Sequence, residues 1–281
     1  MKGFQRGFCF WLFVFVVGIG LVSDALQAQS SSESMDLEPI EMPVVGSHTL
    51  RVLSPTLLEL YLINTKGQDP ARVSPWDFVV SGQLSLPGPQ TFIVKVDGQT
   101  VPVVSVGFKR RVLYAPERVR DLRISNSLFL TLASPVADNQ TVEVTDPSGA
   151  VIQSGIMFVD TADPLRWSPA IHVNHAGYMP NFSKKAMVGY FLGSLGEMDV
   201  APGTAFQIVE IHTQTAVYSG QLTLRRDVGF TATPLPYQKV LEADFTAFNT
   251  AGEYWLVVPG LGASYPFKIN EGIAALAARS Y

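Results

Sequence analysis

The sequence predicts an all-β protein built from two β-sandwiches in tandem, preceded by a signal peptide and followed by the start of a helix. Short segments of alternating apolar and polar residues recur along the chain, separated by turns that contain Gly and Pro, and this pattern is typical of antiparallel sandwiches. No long amphipathic helix is predicted. With 281 residues, of which 47% are hydrophobic and 16% charged, the chain is long enough for about two domains.

The N-terminus has the features of a secretory signal peptide. Lys2 and Arg6 supply the positive charge, Phe8 to Val22 is an apolar run, and small residues follow it. Cleavage after Ala25 and cleavage after Ala28 both fit. A retained membrane anchor is the alternative, since the apolar run is only slightly shorter than the ~18 residues of a spanning helix.

Cysteine content and charge restrict the compartment and the partners. The sole cysteine, Cys9, lies inside the apolar run, so the mature chain has no thiol for a disulfide or a cysteine-based metal site. We expect a secreted protein, extracellular or periplasmic and bacterial, without stable membrane insertion after signal cleavage. The formal net charge is −4, and cleavage after Ala28 makes it −5 by removing two basic residues and one acidic residue. This mild acidity argues against a nucleic-acid partner.

The first sandwich is predicted over residues 47–160, after a signal peptide over residues 1–28 and a flexible lead-in over residues 29–46. Asp97-Gly98 predicts a two-residue hairpin, Asp146-Pro147-Ser148-Gly149 predicts a type I turn, and a return strand is expected from Ala150 to Val159. One face of each remaining strand is apolar, and these faces are formed by Leu58, Leu60 and Leu62, by Phe92, Val94 and Val96, by Leu128, Leu130 and Leu132, and by Val142 and Val144.

A proline-stiffened linker is predicted over residues 161–169 and the second sandwich over residues 170–269. Gly177 is expected to take a positive φ in a tight turn after the first strand. Later strands are predicted over residues 186–192, 206–211 and 254–258. Large side chains are expected to share one face of the last strand, and they are Tyr265, Phe267 and Ile269.

Four pieces of this second segment resemble a known domain. They are Ile171-His172-Val173-Asn174-His175-Ala176-Gly177-Tyr178-Met179-Pro180, Ala243-Asp244-Phe245, Ala251-Gly252-Glu253-Tyr254 and Ser264-Tyr265-Pro266-Phe267-Lys268-Ile269. In this order they resemble the immunoglobulin-like domain at the N-terminal side of family 9 glycoside hydrolases, the inverting cellulases with an (α/α)6 barrel. The resemblance implies two immunoglobulin-like sandwiches in tandem, the second of them an accessory to a barrel that hydrolyses β-1,4-glucan.

Residues 270–281 are predicted to begin a helix. Asn270 is a suitable cap, and Ile273 and Leu276 have helical spacing. In the family that the chain resembles, the first helix of the barrel begins here, in a stretch similar to Ala277-Ala278-Arg279-Ser280-Tyr281. We therefore expect a truncated piece of a larger cellulase gene, whose downstream catalytic domain is the missing partner.

The sequence predicts no catalytic, cofactor-binding or metal-binding residues, and no cofactor. His172 and His175 are three apart on a predicted strand, so they are not expected to share a metal ion. Asp160 and Asp163 are expected in a linker region where no apolar wall raises a carboxyl pKa for general-acid catalysis. The resembled family takes its base from an Asp-Ala-Gly-Asp-like segment that this sequence lacks, and Asn270-Glu271 lies at the wrong place to supply the acid.

Two groups of side chains each have two interpretations. The basic cluster either binds an acidic surface or polyanionic glycan, or is a solvated loop beside an edge strand, where Lys and Arg discourage pairing; it comprises Lys109, Arg110, Arg111, Arg118, Arg120 and Arg123. Aromatic residues could stack on sugar rings if any three formed an exposed row, although most are expected in cores; they are Trp76, Trp167, Trp255, Tyr61, Tyr114, Tyr178, Tyr218 and Tyr237.

Two functions from different classes follow. In the first, the chain is the non-catalytic N-terminal region of a secreted family 9 cellulase, its immunoglobulin-like domain bracing the catalytic barrel, with plant polysaccharide reached through the parent enzyme. In the second, it is a free-standing two-domain protein that binds carbohydrate or acts in adhesion. An exposed row of aromatic residues would favour the second.

Overall fold

A computed structural model describes residues 42–65, 76–115, 122–225 and 239–279. The predicted signal peptide, Arg118, Arg120 and Tyr237 lie outside these residues. Within them, no helix is long and apolar enough to cross a membrane. The chain is nearly all β, as predicted, and every strand pairing inside its sheets is antiparallel.

The first sandwich packs a sheet of order β1-β2-β8-β7 against a sheet of order β10-β9-β5-β6, with β3 and β4 as a separate hairpin. Its strands are β1 (His48–Ser54), β2 (Leu57–Thr65), β3 (Val79–Val80), β4 (Gln83–Leu84), β5 (Ile93–Val96), β6 (Gln99–Val101), β7 (Val103–Tyr114), β8 (Arg123–Leu132), β9 (Thr141–Thr145) and β10 (Phe158–Thr161).

The predicted apolar faces of this sandwich are confirmed, because all eleven of their residues are buried between the two sheets. The Asp97-Gly98 hairpin is also confirmed: it joins β5 to β6, and both residues have positive φ. The predicted return strand is wrong over most of its length, since β10 begins only at Phe158. The Asp146 carboxylate accepts hydrogen bonds from the amides of Val151 and Ile152, at 2.7 and 3.2 Å, and so satisfies two donors without a partner strand.

The second sandwich packs a sheet of order β11-β12-β16-β15 against a sheet of order β14-β13-β17-β18, with β19 also paired to β17. Its strands are β11 (Ile171–His172), β12 (Lys185–Val188), β13 (Ala205–Glu210), β14 (Ala216–Gln221), β15 (Thr223–Leu224), β16 (Leu241–Asp244), β17 (Gly252–Val258), β18 (Gly262–Ala263) and β19 (Phe267–Ile269).

Tyr178 anchors the turn that opens this sandwich. Its hydroxyl donates to the Lys185 carbonyl and accepts from the Asn174 amide, both at 2.9 Å, and its ring meets Phe245 and Phe267 edge to face. Gly177 has a φ of +99°, as predicted for this turn. A side chain at Gly177 would collide with the Lys268 carbonyl oxygen, so the position needs glycine for space as well as conformation.

The prediction that Tyr265 shares a face with Phe267 and Ile269 is wrong. Phe267 and Ile269 are buried, whereas Tyr265 is 48% exposed. The strand is interrupted between β18 and β19: Ser264 turns inward, where its hydroxyl accepts from the Leu256 amide at 3.0 Å, and Pro266 has no amide hydrogen for the ladder. This interruption turns the Tyr265 ring to the surface.

The predicted helix is present as α1 (Ile273–Arg279), and three residues separate it from β19. The Asn270 side chain accepts from the Gly272 amide at 2.6 Å, as expected of a residue that caps the turn before a helix. The Asn270 amide in turn donates to the Tyr178 carbonyl at 3.0 Å. The start of α1 is therefore fixed to the turn around Gly177.

Candidate functional site

Three residues of the first sandwich take part in the buried core of the second. Leu53, Leu57 and Phe129 belong to strands of the first sandwich, yet they lie in the same apolar cluster as the centre of the second. Phe129 is completely buried. The sheet β1-β2-β8-β7 therefore has the core of the first sandwich on one face, and the second sandwich covers part of the other.

Shape complementarity at this junction depends on Gly107. Phe129 lies opposite Gly107 on one neighbouring strand and opposite Glu59 on the other. Tyr190 of the second sandwich packs on Phe129 with perpendicular rings whose centroids are 6.3 Å apart. A Cβ atom at Gly107 would lie 2.3 Å from Cγ of Leu195, so this glycine makes room for the second sandwich.

A polar network crosses the same junction. Glu59 is fully buried; it accepts from Nη1 of Arg51 at 3.0 Å and from the Tyr190 hydroxyl at 3.1 Å. Nζ of Lys109 donates to the Phe191 carbonyl at 2.8 Å and lies 3.7 Å from the centroid of the Tyr190 ring. Burial lowers the pKa of Lys109 to about 8 and raises the pKa of Tyr190 above its usual range.

Contacts between the sandwiches also form at both edges of the shared sheet. At the β7 edge, the Phe108 amide donates to the Ser194 hydroxyl at 3.0 Å. At the β1 edge, Arg166 donates to the carbonyls of Val52 and Gly260, both at 2.6 Å, and so joins the two sandwiches directly. These contacts fix the sandwiches relative to each other.

The basic cluster does not form one surface among the residues that the structure describes. Lys109 lies in the junction and Arg111 is exposed. Arg110 donates to Asp77 and to the Trp76 carbonyl, at 2.8 and 2.7 Å. Arg123 donates to the Pro43 carbonyl. β7 is an edge strand of its sheet, as the second interpretation of this cluster requires. That interpretation is wrong for Lys109, because the side chain is not solvated at the edge but contacts the second sandwich.

The predicted titratable pairs make separate contacts. Nε2 of His172 lies 3.2 Å from the Gly189 carbonyl, whereas the His175 ring packs on Tyr265. Within the described residues, no group of three or more His, Cys, Asp or Glu could hold a metal ion. The expectation that nothing raises the pKa of Asp160 is wrong: this residue lies on β10, and burial raises the pKa of its carboxyl group.

Three of the aromatic candidates occupy the positions expected of core residues, in full or in part. Trp76 and Tyr178 are buried, and Tyr218 packs partly buried against the second core. Trp167 instead is 39% exposed, and its ring centroid lies 5.2 Å from that of Tyr265, which is 5.2 Å from that of His175. The sequence predicts Tyr265 on the same face as Phe267 and Ile269, so periodicity alone does not find this row.

Arg51 extends the row onto the first sandwich. Its guanidinium carbon lies 5.2 Å from the centroid of the Trp167 ring and 4.4 Å from that of the Tyr61 ring. We call the continuous surface formed by Tyr61, Arg51, Trp167, Tyr265 and His175 the aromatic strip. It crosses the junction and begins two residues from Gly177, the glycine against which Ile273 of α1 packs.

Comparison with known proteins finds a family match for most of the second sandwich. Residues 166–263 match the family described as the cellulase N-terminal ig-like domain. Endoglucanase D of Acetivibrio thermocellus is 32% identical over 127 residues, which are 45% of this chain and 17% of that protein. The chain thus spans about a sixth of the length of this relative.

Two solved structures are similar to part of the chain. One is described as Bacteroides ovatus GH9, with 26% identity over 39% of this chain and 17% of the other, at a TM-score of 0.29. The other is a metagenome-derived glycoside hydrolase family 9 endoglucanase, with 25% identity over 36% of this chain and 18% of the other, at a TM-score of 0.27. At these TM-scores the superpositions add nothing to the sequence match. The second sandwich is a cellulase N-terminal immunoglobulin-like domain.

Proposed function

We propose that this chain is the non-catalytic N-terminal region of a secreted family 9 glycoside hydrolase acting on β-1,4-glucan, and that its immunoglobulin-like domain braces the catalytic barrel. The observation that carries the proposal is the match of residues 166–263 to the cellulase N-terminal ig-like domain. The identity to Endoglucanase D points the same way. The proposed partner is the catalytic domain of the same enzyme, and plant polysaccharide is bound through that enzyme.

A brace has to be rigid, and the junction supports this role. Phe129 and Tyr190 pack across it, and Arg166 joins backbone carbonyls of both sandwiches. The chain then leaves the second sandwich in a fixed direction, because Ile273 at the start of α1 packs against Gly177. A domain that follows α1 would be held at a defined angle to both sandwiches.

Export is part of the proposal, and it depends on the N-terminal sequence. Lys2 and Arg6 precede the apolar run from Phe8 to Val22, and small residues follow at Ala25 and Ala28. N-terminal sequencing of the protein from culture medium or periplasm should find a start just after one of these alanines. An intact N-terminus in the membrane fraction would instead support a retained anchor.

The gene beyond the codon for Tyr281 provides the decisive test. We expect an open reading frame that encodes a helical barrel with an Asp-Ala-Gly-Asp-like segment; a frame without one overturns the proposal. The present chain alone should release no reducing ends from carboxymethyl cellulose, because it lacks the resembled family's paired carboxylates.

Bracing is tested in the longer protein by uncoupling α1 from the second sandwich. Ile273→Asp places a charge against Gly177 and should split one melting transition into two and shorten the half-life of activity. Glu271→Gln, at an exposed position in the same segment, is the control and should change neither. Two independent transitions in the unmodified protein would rule out bracing.

A further inference from the structure

The aromatic strip is held rigidly by the backbone on both sides of the junction. Trp167 forms a parallel bridge with Ala263, and the amide of Ser168 donates to the Ala263 carbonyl at 2.8 Å. The carbonyl of Tyr265 accepts from the Ser264 hydroxyl at 2.7 Å. Tyr61 lies on β2, in the middle of the shared sheet. Tyr61 and Trp167 are therefore fixed on a strand and a bridge, and Tyr265 lies between two short strands, which gives the strip the backbone support that a preformed binding site needs.

Arg51 is held with equal precision and carries a compensated charge. Its ion pair with Glu59, at 3.0 Å, directs the guanidinium between the rings of Tyr61 and Trp167. The fully buried Glu59 carboxylate offsets the charge of Arg51, so the strip is close to neutral while it keeps hydrogen-bond donors. An anionic ligand would gain little attraction from such a surface, whereas an uncharged one would not have to displace a counter-charge.

A pyranose ring has the complementary chemistry. Its face presents C–H groups, which pack on an aromatic ring, and its hydroxyl groups project at the edge, where donors and acceptors meet them. The strip offers both kinds of contact: the rings of Trp167 and Tyr265, and between or beside them the guanidinium of Arg51 and the imidazole of His175. Each member contacts the next, from Tyr61 through Arg51, Trp167 and Tyr265 to His175, so a polymer of sugar units can contact several of them.

We propose that the aromatic strip is a binding surface for an uncharged polysaccharide chain. The glycan lies along Tyr61, Trp167, Tyr265 and His175, stacks on the rings and receives hydrogen bonds from Arg51. The surface exists only because the two sandwiches are joined, since neither carries more than part of it. This inference goes beyond the bracing role and does not depend on it. If both hold, the strip presents the glycan to the catalytic domain, because His175 is two residues from Gly177, against which Ile273 of α1 packs.

The test uses the whole secreted chain and three probes: regenerated amorphous cellulose, soluble hydroxyethyl cellulose and cellohexaose. The unmodified protein should be retained on cellulose and retarded in gels that contain hydroxyethyl cellulose. Trp167→Ala and Tyr265→Ala should each weaken binding roughly tenfold, the loss typical of truncating a central aromatic contact. Trp167→Tyr, which keeps a ring, should restore part of the affinity.

The control is Phe182→Ala, which removes an aromatic side chain that is 60% exposed and lies outside the strip. It should bind as the unmodified protein does, and circular dichroism melts should show that all variants fold. Tyr265→Ala keeps the test valid if Trp167→Ala fails to fold, because Tyr265 is half exposed.

Three results overturn the proposal: no binding of any probe by the unmodified protein, equal binding by the strip variants, or a loss equal to that of Phe182→Ala. A fourth result also overturns it: neither the unmodified protein nor the strip variants bind glycan, but the variants lower the melting temperature of the longer protein. The strip would then be a contact surface for the next domain.

Discussion

Truncation of Phe129 to alanine tests whether the two sandwiches fold as one unit. If they were independent, Phe129 would lie on the outer face of the first sandwich, and its loss would change the free energy of unfolding by no more than about 0.5 kcal/mol. In the structure the ring is fully buried against the second core. Two physical interpretations thus give very different expected costs for one substitution.

The expected cost follows from burial. A buried phenylalanine removes roughly 150–250 Å² from water, which at ~25 cal/mol per Å² sets an upper bound of about 4–6 kcal/mol. Measured Phe→Ala changes in cores fall at about 3–5 kcal/mol, because the cavity partly relaxes. We expect Phe129→Ala to lie in this range and to lower the stability of both sandwiches together.

The assay is denaturant unfolding with calorimetry, and the matched control is the next residue. Leu130 is equally buried but points into the core of the first sandwich, so Leu130→Ala should cost about 2–5 kcal/mol. A double-mutant cycle separates the two faces of β8. Phe129→Ala with Tyr190→Ala should show a coupling of about 0.5–1.5 kcal/mol, whereas Leu130→Ala with Tyr190→Ala should be additive.

The reasoning is refuted if Phe129→Ala costs less than about 1 kcal/mol, a value within reach of a partly exposed site. It is equally refuted if calorimetry shows two melting transitions and Phe129→Ala lowers the melting temperature of the first sandwich alone. A coupling between Leu130 and Tyr190 as large as that between Phe129 and Tyr190 would show that the cycle reports a general weakening and not the contact across the junction.

Three further substitutions test neighbouring contacts, each by the free energy of unfolding. Burial sets the pKa of Lys109 at about 8, below its ordinary 10.5, so the unfolded chain binds more protons than the folded chain between these pH values. The free energy of unfolding should therefore rise from pH about 8 to about 9.5, and Lys109→Met should flatten that rise. An unchanged slope in this variant would contradict the assignment. Gly107→Ala should cost about 1–3 kcal/mol through its clash with Leu195, and Leu195→Ala should recover part of this; a neutral Gly107→Ala would mean that the junction is loose. Lys184→Met should lower the free energy of unfolding by at least about 1–3 kcal/mol, because the buried Nζ donates to two backbone carbonyls and to the side-chain carbonyl of Asn249. The control is Lys185→Met at an exposed position, which should change it by no more than about 1 kcal/mol. Equal costs for the two variants would contradict the prediction.

Alternation in the sequence was enough to find the two internal cores. Leu60, Leu130 and Val144 in the first sandwich, and Ile208 and Phe267 in the second, are buried as their strand positions predict. Period two is a backbone property, so it holds wherever a strand is regular. It fails at Tyr265, because Ser264 turns inward and Pro266 interrupts the strand, and neither residue breaks the alternation of Tyr265, Phe267 and Ile269 in the sequence.

Alternation along each strand does not predict the junction, because it assigns only one buried face to a strand. Leu128, Phe129 and Leu130 form a continuous apolar run, and Leu57 precedes Leu58 on the paired strand. A run without polar interruptions is typical of a strand that is buried on both faces. That signal was present in the sequence, but it does not say which surface covers the second face. Only the folded chain brings Tyr190 and Leu195 onto it.

Apolar contacts and the buried carboxylate contribute differently to this junction. Apolar side chains such as Leu53 and Phe129 would be buried in many similar orientations of the two sandwiches, because the hydrophobic effect is not directional. They therefore favour association without selecting one orientation. Glu59 selects one orientation of the sandwiches, because its two carboxylate oxygens accept one hydrogen bond from Arg51 of the first sandwich and one from Tyr190 of the second. Sliding the sandwiches would leave a buried carboxylate short of a partner, at a cost of several kcal/mol. The angle between the sandwiches is thus set by packing and by one carboxylate, more than by the prolines of the connecting segment.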